Sequence, residues 1–391
     1  MSFARNGTVH GVSDGAKPLK VVIPSLKGSS MAQSNPILDD KNMLTVTLVP
    51  NVNLGASEQS SITISGLHRA IAPSTVSLLP TLADASSNTL FAAGGVQGTA
   101  NFGSDSILLT VAAGQLLIAH QQYEFAFEVL NPAVAQAAPE LTVEATGTAW
   151  FVPERLPGPN LEIIGVLNGT NPMLLIRPEF TLRTIAQSHP FSSYLNTYTC
   201  ALTVNVNLAK SHRSYLDHLY PGRSRIALRG FTDATAAGSS VGLASTASGN
   251  QAHLVRASLL LTAAFDLILS WAPRSGPLVF VHRHAGADRR RLWQLFDSGD
   301  GSNARGTAAY LDGTVTMHLS ENQTMLAHRR YVVTFNLTNP SYEQPVERTI
   351  LVSSAGSANA YVSHPAHVMC TRISRAVLLA ADEAFLMVRR G

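Results

Sequence analysis

Charge is scarce in this 391-residue chain: Asp, Glu, Lys and Arg make up 14% of it, against about a quarter in ordinary globular proteins. That shortage argues against a coiled coil and against a charged disordered segment. Lysine stands only at 17, 20, 27, 41 and 210, and the formal net charge is +3. So small a balance does not call for nucleic acid or an anionic membrane as partner. Cysteine is limited to Cys200 and Cys370, too few for a disulfide framework and too few for a zinc site without several histidines in support. No uninterrupted apolar run reaches the length of about 18 that a membrane helix requires. The nearest approach, Leu259 to Ala272, is broken by Asp266. The opening Met1 to Asn6 lacks the apolar core of a signal peptide. With the repeat phase below, the chain is expected to be a piece of a longer secreted precursor.

What the sequence has is repetition, which sets the fold before any other feature. Ala119 to Pro132 returns as Ala327 to Pro340 at an offset of 208 (327 − 119). Ala32 to Pro36 returns as Ala186 to Pro190 at 154 (186 − 32), and begins again at Tyr361 to Pro365. Ser61 to Leu67 answers Arg225 to Phe231 at 164 (225 − 61), and Gly98 to Ala100 answers Gly306 to Ala308 at 208. Within each copy, short stretches of β-branched and apolar residues alternate with polar ones, separated by Gly, Asn, Ser and Pro turns. The expected fold is all-β: tandem immunoglobulin-like antiparallel β-sandwiches, the second with a long insertion.

The expected boundaries follow. Residues 1–31 end a preceding repeat or form a linker, and 32–182 are repeat 1 with its connector. Residues 183–360 are repeat 2, with an insertion at about 232–305, and 361–391 begin a third repeat or form a C-terminal segment. The connector Phe151 to Thr197, with strand candidates at Leu161 to Val166 and Met173 to Ile176, echoes Pro18 to Gly28, where Leu19 to Ile23 is a strand candidate. In the repeated stretch, Tyr331, Val333, Phe335 and Leu337 share one face, expected inside. Val332, Thr334, Asn336 and Thr338 share the other, expected in water. Tyr123, Phe125, Phe127 and Val129 repeat the inner face, and the following Asn-Pro ends the strand.

These phrases resemble those of large predicted extracellular proteins of algae and other protists: Gln-Ser-x-Pro, Leu-Thr-Val-Thr-Leu with Asn-Val-x-Leu, Ile-Thr-Ile-Ser-Gly-Leu, and Tyr-x-Phe-x-Phe-x-x-x-Asn-Pro. Residues 32–67 with 98–147 carry a complete copy, and 186–231 with 306–356 a diverged one. The resemblance implies a repeat type and no particular activity.

The chemistry-bearing constellations are few. Asn6, Asn168, Asn322 and Asn336 are sequons and candidate glycan acceptors. Asn336 falls on the outer face of its strand and Asn168 in an Asn-Gly turn. Gly238 to Gly242 matches the Gly-x-Ser-x-Gly elbow around Ser240, but its setting among small residues reads as a flexible loop. His282 and His284 would share a strand face, where a third histidine could complete a metal site; the sequence does not show which histidine would be third, and surface or interface histidines are the preferred reading. Arg289, Arg290 and Arg291 beside Trp293 form either a solvated turn or a surface for a sulfated glycan or a partner's carboxylates. Cys200 and Cys370 are either a disulfide between adjacent units or two buried thiols. No catalytic, metal or cofactor residue is assigned; N-linked glycans are the one added group expected.

The function expected is a non-enzymatic, extracellular or cell-surface structural protein, a component of a fibre, coat or flagellar hair. Its partners would be copies of itself or other structural proteins, and glycans, without nucleic acid or a membrane span. The alternatives are a carbohydrate-binding or adhesion module, using Trp271 and Trp293, and a structural subunit of a larger complex.

Overall fold

The computed structural model describes residues 7–147, 149–209, 225–244, 295–297, 306–320, 323–344, 350–355 and 368–369. Two compact units divide between Arg177 and Pro178. No helix among the described residues is long and apolar enough to cross a membrane.

Unit 1 is an immunoglobulin-like antiparallel sandwich. Its strands are β1 (Ser30–Gln33), β2 (Lys41–Leu48), β3 (Ser61–Ser65), β4 (Thr75–Ser77), β5 (Leu79–Pro80), β6 (Thr99–Phe102), β7 (Ser106–Val111), β8 (Tyr123–Leu130) and β9 (Thr142–Thr146). One sheet runs β1-β2-β8-β5. The facing sheet runs through β9-β3-β7, with β6 joining β7 to β4. Period-two alternation decides what is buried: Asn42, Leu44, Val46 and Leu48 of β2 all point inward at 0% exposure. Phe91 meets Phe125 of β8 at 5.2 Å, and Phe102 of β6 meets Phe127 at 6.5 Å, so the aromatics join the two sheets. Burying each such ring contributes roughly 2–3 kcal/mol.

Unit 2 repeats the plan with β10 (Phe180–Gln187), β11 (Leu195–Val204), β12 (Arg225–Arg229), β13 (Ser240–Ala244), β14 (Thr307–Leu311), β15 (Thr314–Leu319), β16 (Tyr331–Thr338) and β17 (Leu351–Ala355). The order β10-β11-β16 answers β1-β2-β8, and β15-β12-β17 answers β7-β3-β9. Tyr198, Phe231 and Phe335 make its aromatic centre, with centroids 5.1–5.7 Å apart.

Both units contain a strand that passes from one sheet to the other. In unit 1 it is broken at Leu78: β4 pairs with β6, and β5 with β8. In unit 2 it is the continuous β13, pairing with β14 through Ser240–Gly242 and with β16 through Leu243 and Ala244. Ser240 to Gly242 of the Gly-x-Ser-x-Gly phrase are therefore on a strand rather than in a flexible loop, with Gly238 and Ser239 in the bend before it, and Ser240 lacks the strand-turn-helix setting of a nucleophile. Of the extra length of unit 2, ten residues fall between β11 and β12 (164 − 154) and the rest after Ala244.

Three further expectations are corrected. Neither Leu19–Ile23 nor Leu161–Val166 is a strand: the first follows a series of turns and makes no ladder, and the second is a turn closed by the Ile163–Val166 bridge. Thr334 is not in water but 7% exposed, its hydroxyl donating to the Ala244 carbonyl at 3.0 Å where β13 crosses over β16.

Candidate interaction site

The repeated phrase Ala-His-x-x-Tyr builds a clamp at the start of β8 and β16. The Ile118 N–H donates to the Tyr123 hydroxyl at 2.5 Å, and the Leu326 N–H to the Tyr331 hydroxyl at 2.7 Å. This is the tyrosine corner of immunoglobulin-like sandwiches. His120 and His328 take left-handed φ values of 63° and 59°, and their N–H groups donate to Pro50 and Val204 carbonyls, each at 2.7 Å. The next ties are the Ala119 and Ala327 N–H groups, which reach Asn53 and Asn207 side chains at 2.8 and 2.7 Å. Burial pushes both phenols up.

At the other end of the same strands lies a buried amide network, also built twice. In unit 1, Asn42 donates to Gln33 Oε1 at 3.0 Å and to Asn131 Oδ1 at 2.9 Å, and accepts from the N–H groups of Ser34 and Asn35. Asn131 then donates to the carbonyls of Asn35 at 2.9 Å and Ile37 at 2.7 Å. In unit 2, Asn196 donates to Gln187 at 3.1 Å and Asn339 at 2.9 Å, and Asn339 to the carbonyls of His189 and Phe191 at 2.9 and 2.8 Å. Every bond of the first set has its counterpart in the second. The Asn of Asn-Pro does more than end a strand: it ties the loop after β1 or β10 to the sheet. Beside it in unit 1, burial raises the Asp40 carboxyl above its ordinary value, against hydrogen bonds from Asn35 and the Lys41 N–H.

The two ends then differ. In unit 1 the connector 161–177 closes the edge of β1. Gln33 N–H donates to Thr170 O at 3.0 Å. The Gln33 side chain donates to Gly169 O at 2.8 Å and Leu174 O at 2.9 Å, and accepts from Met173 N–H at 2.8 Å. Leu175 exchanges two backbone bonds with Gln136, both 2.9 Å, and Ile176 N–H donates to Pro36 O at 2.9 Å. Met173 and Leu175 are 0% and 1% exposed, and Ile37 only 4%. In unit 2 the corresponding edge, along β10, is open among the described residues. Gln187 is exposed, and its amide nitrogen and backbone N–H have no partner there; Phe191, the counterpart of Ile37, is 60% exposed, beside Tyr194 and Leu195. Sequence reasoning missed this site, although the repeated Gln and Asn positions were its signal.

Of the residues singled out in the sequence, Asn336 is exposed on β16 and accepts from the Thr197 hydroxyl at 2.8 Å. Asn168 is exposed in a turn at φ 57°. Cys200 is buried on β11 opposite Val333, as Val46 lies opposite Phe125. Asn6, Asn322, Cys370, Arg289, Arg290, Arg291, Trp293, Trp271, His282 and His284 lie outside the described residues.

No protein-family model matches the chain, and no curated protein matches it. Among solved structures, it is similar to BspA_C_mut (8% identity, TM-score 0.39, 85% of this chain and 95% of that one). It is also similar to the collagen adhesin CNA of S. aureus (8%, TM-score 0.18, 84% and 85%). A third is the collagen-binding domain of the Erysipelothrix rhusiopathiae surface protein RspB (9%, TM-score 0.21, 87% and 92%). At these scores the likeness bears on neither ligand nor assembly.

Proposed function

We propose that the chain is a non-enzymatic, repeat-built structural protein of the cell surface or an extracellular fibre or coat. One observation carries this reading: the segment that completes the edge of unit 1 is the same segment that leads directly into unit 2. A tie through several backbone and side-chain hydrogen bonds suits a serial array, because each module is closed by the link to the next. The buried clamps and amide networks are alike in both units, whereas the outer faces differ. Such divergence fits a scaffold that presents distinct surfaces to partners of its own kind or to glycans.

The reading is tested on the cells that make the protein. An antibody against the full chain should label intact, unpermeabilised cells or shed fibres, and Asn336 and Asn168 should carry glycans by mass spectrometry. Labelling that appears only after permeabilisation would overturn it.

A further inference from the structure

We propose that residues 7–23 are the closing segment for the open end of unit 2 in a second copy of this chain, so that copies join head to tail. The proposal rests on the structural reading above and names its partner.

Residues 7–23 and 161–177 are one motif, 154 residues apart (161 − 7). Val9 bridges Val12 as Ile163 bridges Val166. Gly15, Lys17 and Lys20 N–H groups donate to Val12, Asp14 and Lys17 carbonyls, as Gly169, Asn171 and Leu174 donate to Val166, Asn168 and Asn171. The left-handed positions agree one by one: Gly11 at 80° with Gly165 at 81°, Asp14 at 56° with Asn168 at 57°, Leu19 at 66° with Met173 at 60°. The fold of the segment is therefore set by its own sequence.

What differs is whether its docking face is covered. Met173 and Leu175 are 0% and 1% exposed, but their counterparts Leu19 and Val21 are 98% and 84% exposed, held outward while Asn53 N–H grips His10 O at 2.8 Å. Unit 2 presents the matching acceptor. Gln187 stands where Gln33 does and Phe191 where Ile37 does. Gln344 stands for Gln136, its amide donating to Thr232 O as Gln136 donates to His68 O. A segment that lays Leu19 and Val21 against this edge would supply carbonyls to Gln187 and add a strand between Phe191 and Gln344, which is edge pairing of a familiar kind.

Two facts choose the occupant. The equivalent end of unit 1 is already filled by 161–177. Residues 366–390 of the chain contain neither glycine nor proline, whereas the motif carries Gly165, Gly169 and Pro172; a Cβ at Gly169 would stand 2.6 Å from Ile163 Cγ2. Segment and edge are different surfaces, so the contact is heterologous and extends into a chain of copies rather than closing as a symmetric dimer.

The test uses the full chain in light scattering over a concentration series. The wild type should rise above 41.6 kDa in whole-copy steps. The double variant Leu19→Asp, Val21→Asp and the acceptor variant Phe191→Asp should each stay at one copy, since both alter exposed side chains. Mixed together, the two should form a pair and nothing larger, because only one intact segment meets one intact edge. A wild type that stays monomeric at every concentration, or oligomers untouched by these substitutions, would overturn the proposal. Surface labelling of cells is independent of this result, so the two failures are distinguishable.

Discussion

The strongest single-residue dependence lies in the paired asparagines. Asn131 is 0% exposed, and its replacement by alanine strands the Asn42 amide and the carbonyls it holds. Leaving such groups unpaired costs about 2–4 kcal/mol in all. Urea unfolding of Asn131→Ala should show this loss, and Asn131→Asp should not rescue it, because a carboxylate cannot donate to the Asn35 and Ile37 carbonyls. Tyr123→Phe should cost less, about 1–2 kcal/mol. Asp84 gives a pH signature. Burial alone would raise its carboxyl; hydrogen bonds from the Ser87 side chain and from Ser86, Ser87 and Glu124 N–H groups outweigh that and lower it from 3.8 to about 2. A depressed folded value means the ionised form favours the fold, so its contribution is complete above about pH 4 and lost as pH falls toward 2. In a thermal-melt series across that window, Asp84→Asn should flatten this part of the profile. The outer-face change from Glu128 to Asn336 also has a structural meaning. Glu128 pairs with Lys41 at 2.8 Å, whereas in unit 2 the positions hold Asn336 and an exposed Leu195.

At the scale of elements, the same substitution should have opposite outcomes in the two closing segments. Met173→Asp places a charge in a sealed site and should destabilise unit 1 by about 3 kcal/mol or more. Leu19→Asp should change its stability by no more than about 0.5 kcal/mol; chemical denaturation of both variants checks the pair. This contrast also marks where the sequence was legible. Alternation identified β2, β8 and β16, with the aliphatic inner face of the first and the aromatic inner faces of the other two, because period two reports burial directly. It misread Leu19–Ile23 as a strand, since an apolar run says nothing about whether a partner edge is filled. It left Thr334 in water, because the crossing of β13 from one sheet to the other is a tertiary event. The Asn-Pro phrase was read through its proline, and the buried role of the asparagine depends on Gln33 and Asn42, 98 and 89 residues away in sequence (131 − 33 and 131 − 42).

At the scale of the whole molecule, each unit has its own core and its own amide network, so the two should respond separately. In a denaturant titration followed by hydrogen exchange, Asn131→Ala should release amides of unit 1 without those of unit 2, and Asn339→Ala the reverse. A single loss across both units would contradict this.

Because the lid of unit 1 is written after β9, the visible end of the sandwich is not the end of the folding module. A fragment stopped at Gly147 keeps β1 to β9, losing only the two-residue strand Glu154–Arg155 beside β9, yet leaves β1 bare, and such an edge recruits other chains. One stopped at Arg177 carries its own cover. The first should precipitate on refolding and the second remain in solution. A proteolytic cut between Leu156 and Leu161, past the short strand Glu154–Arg155 that pairs with β9, would turn a finished module into an adhesive one without cutting a strand of those sheets.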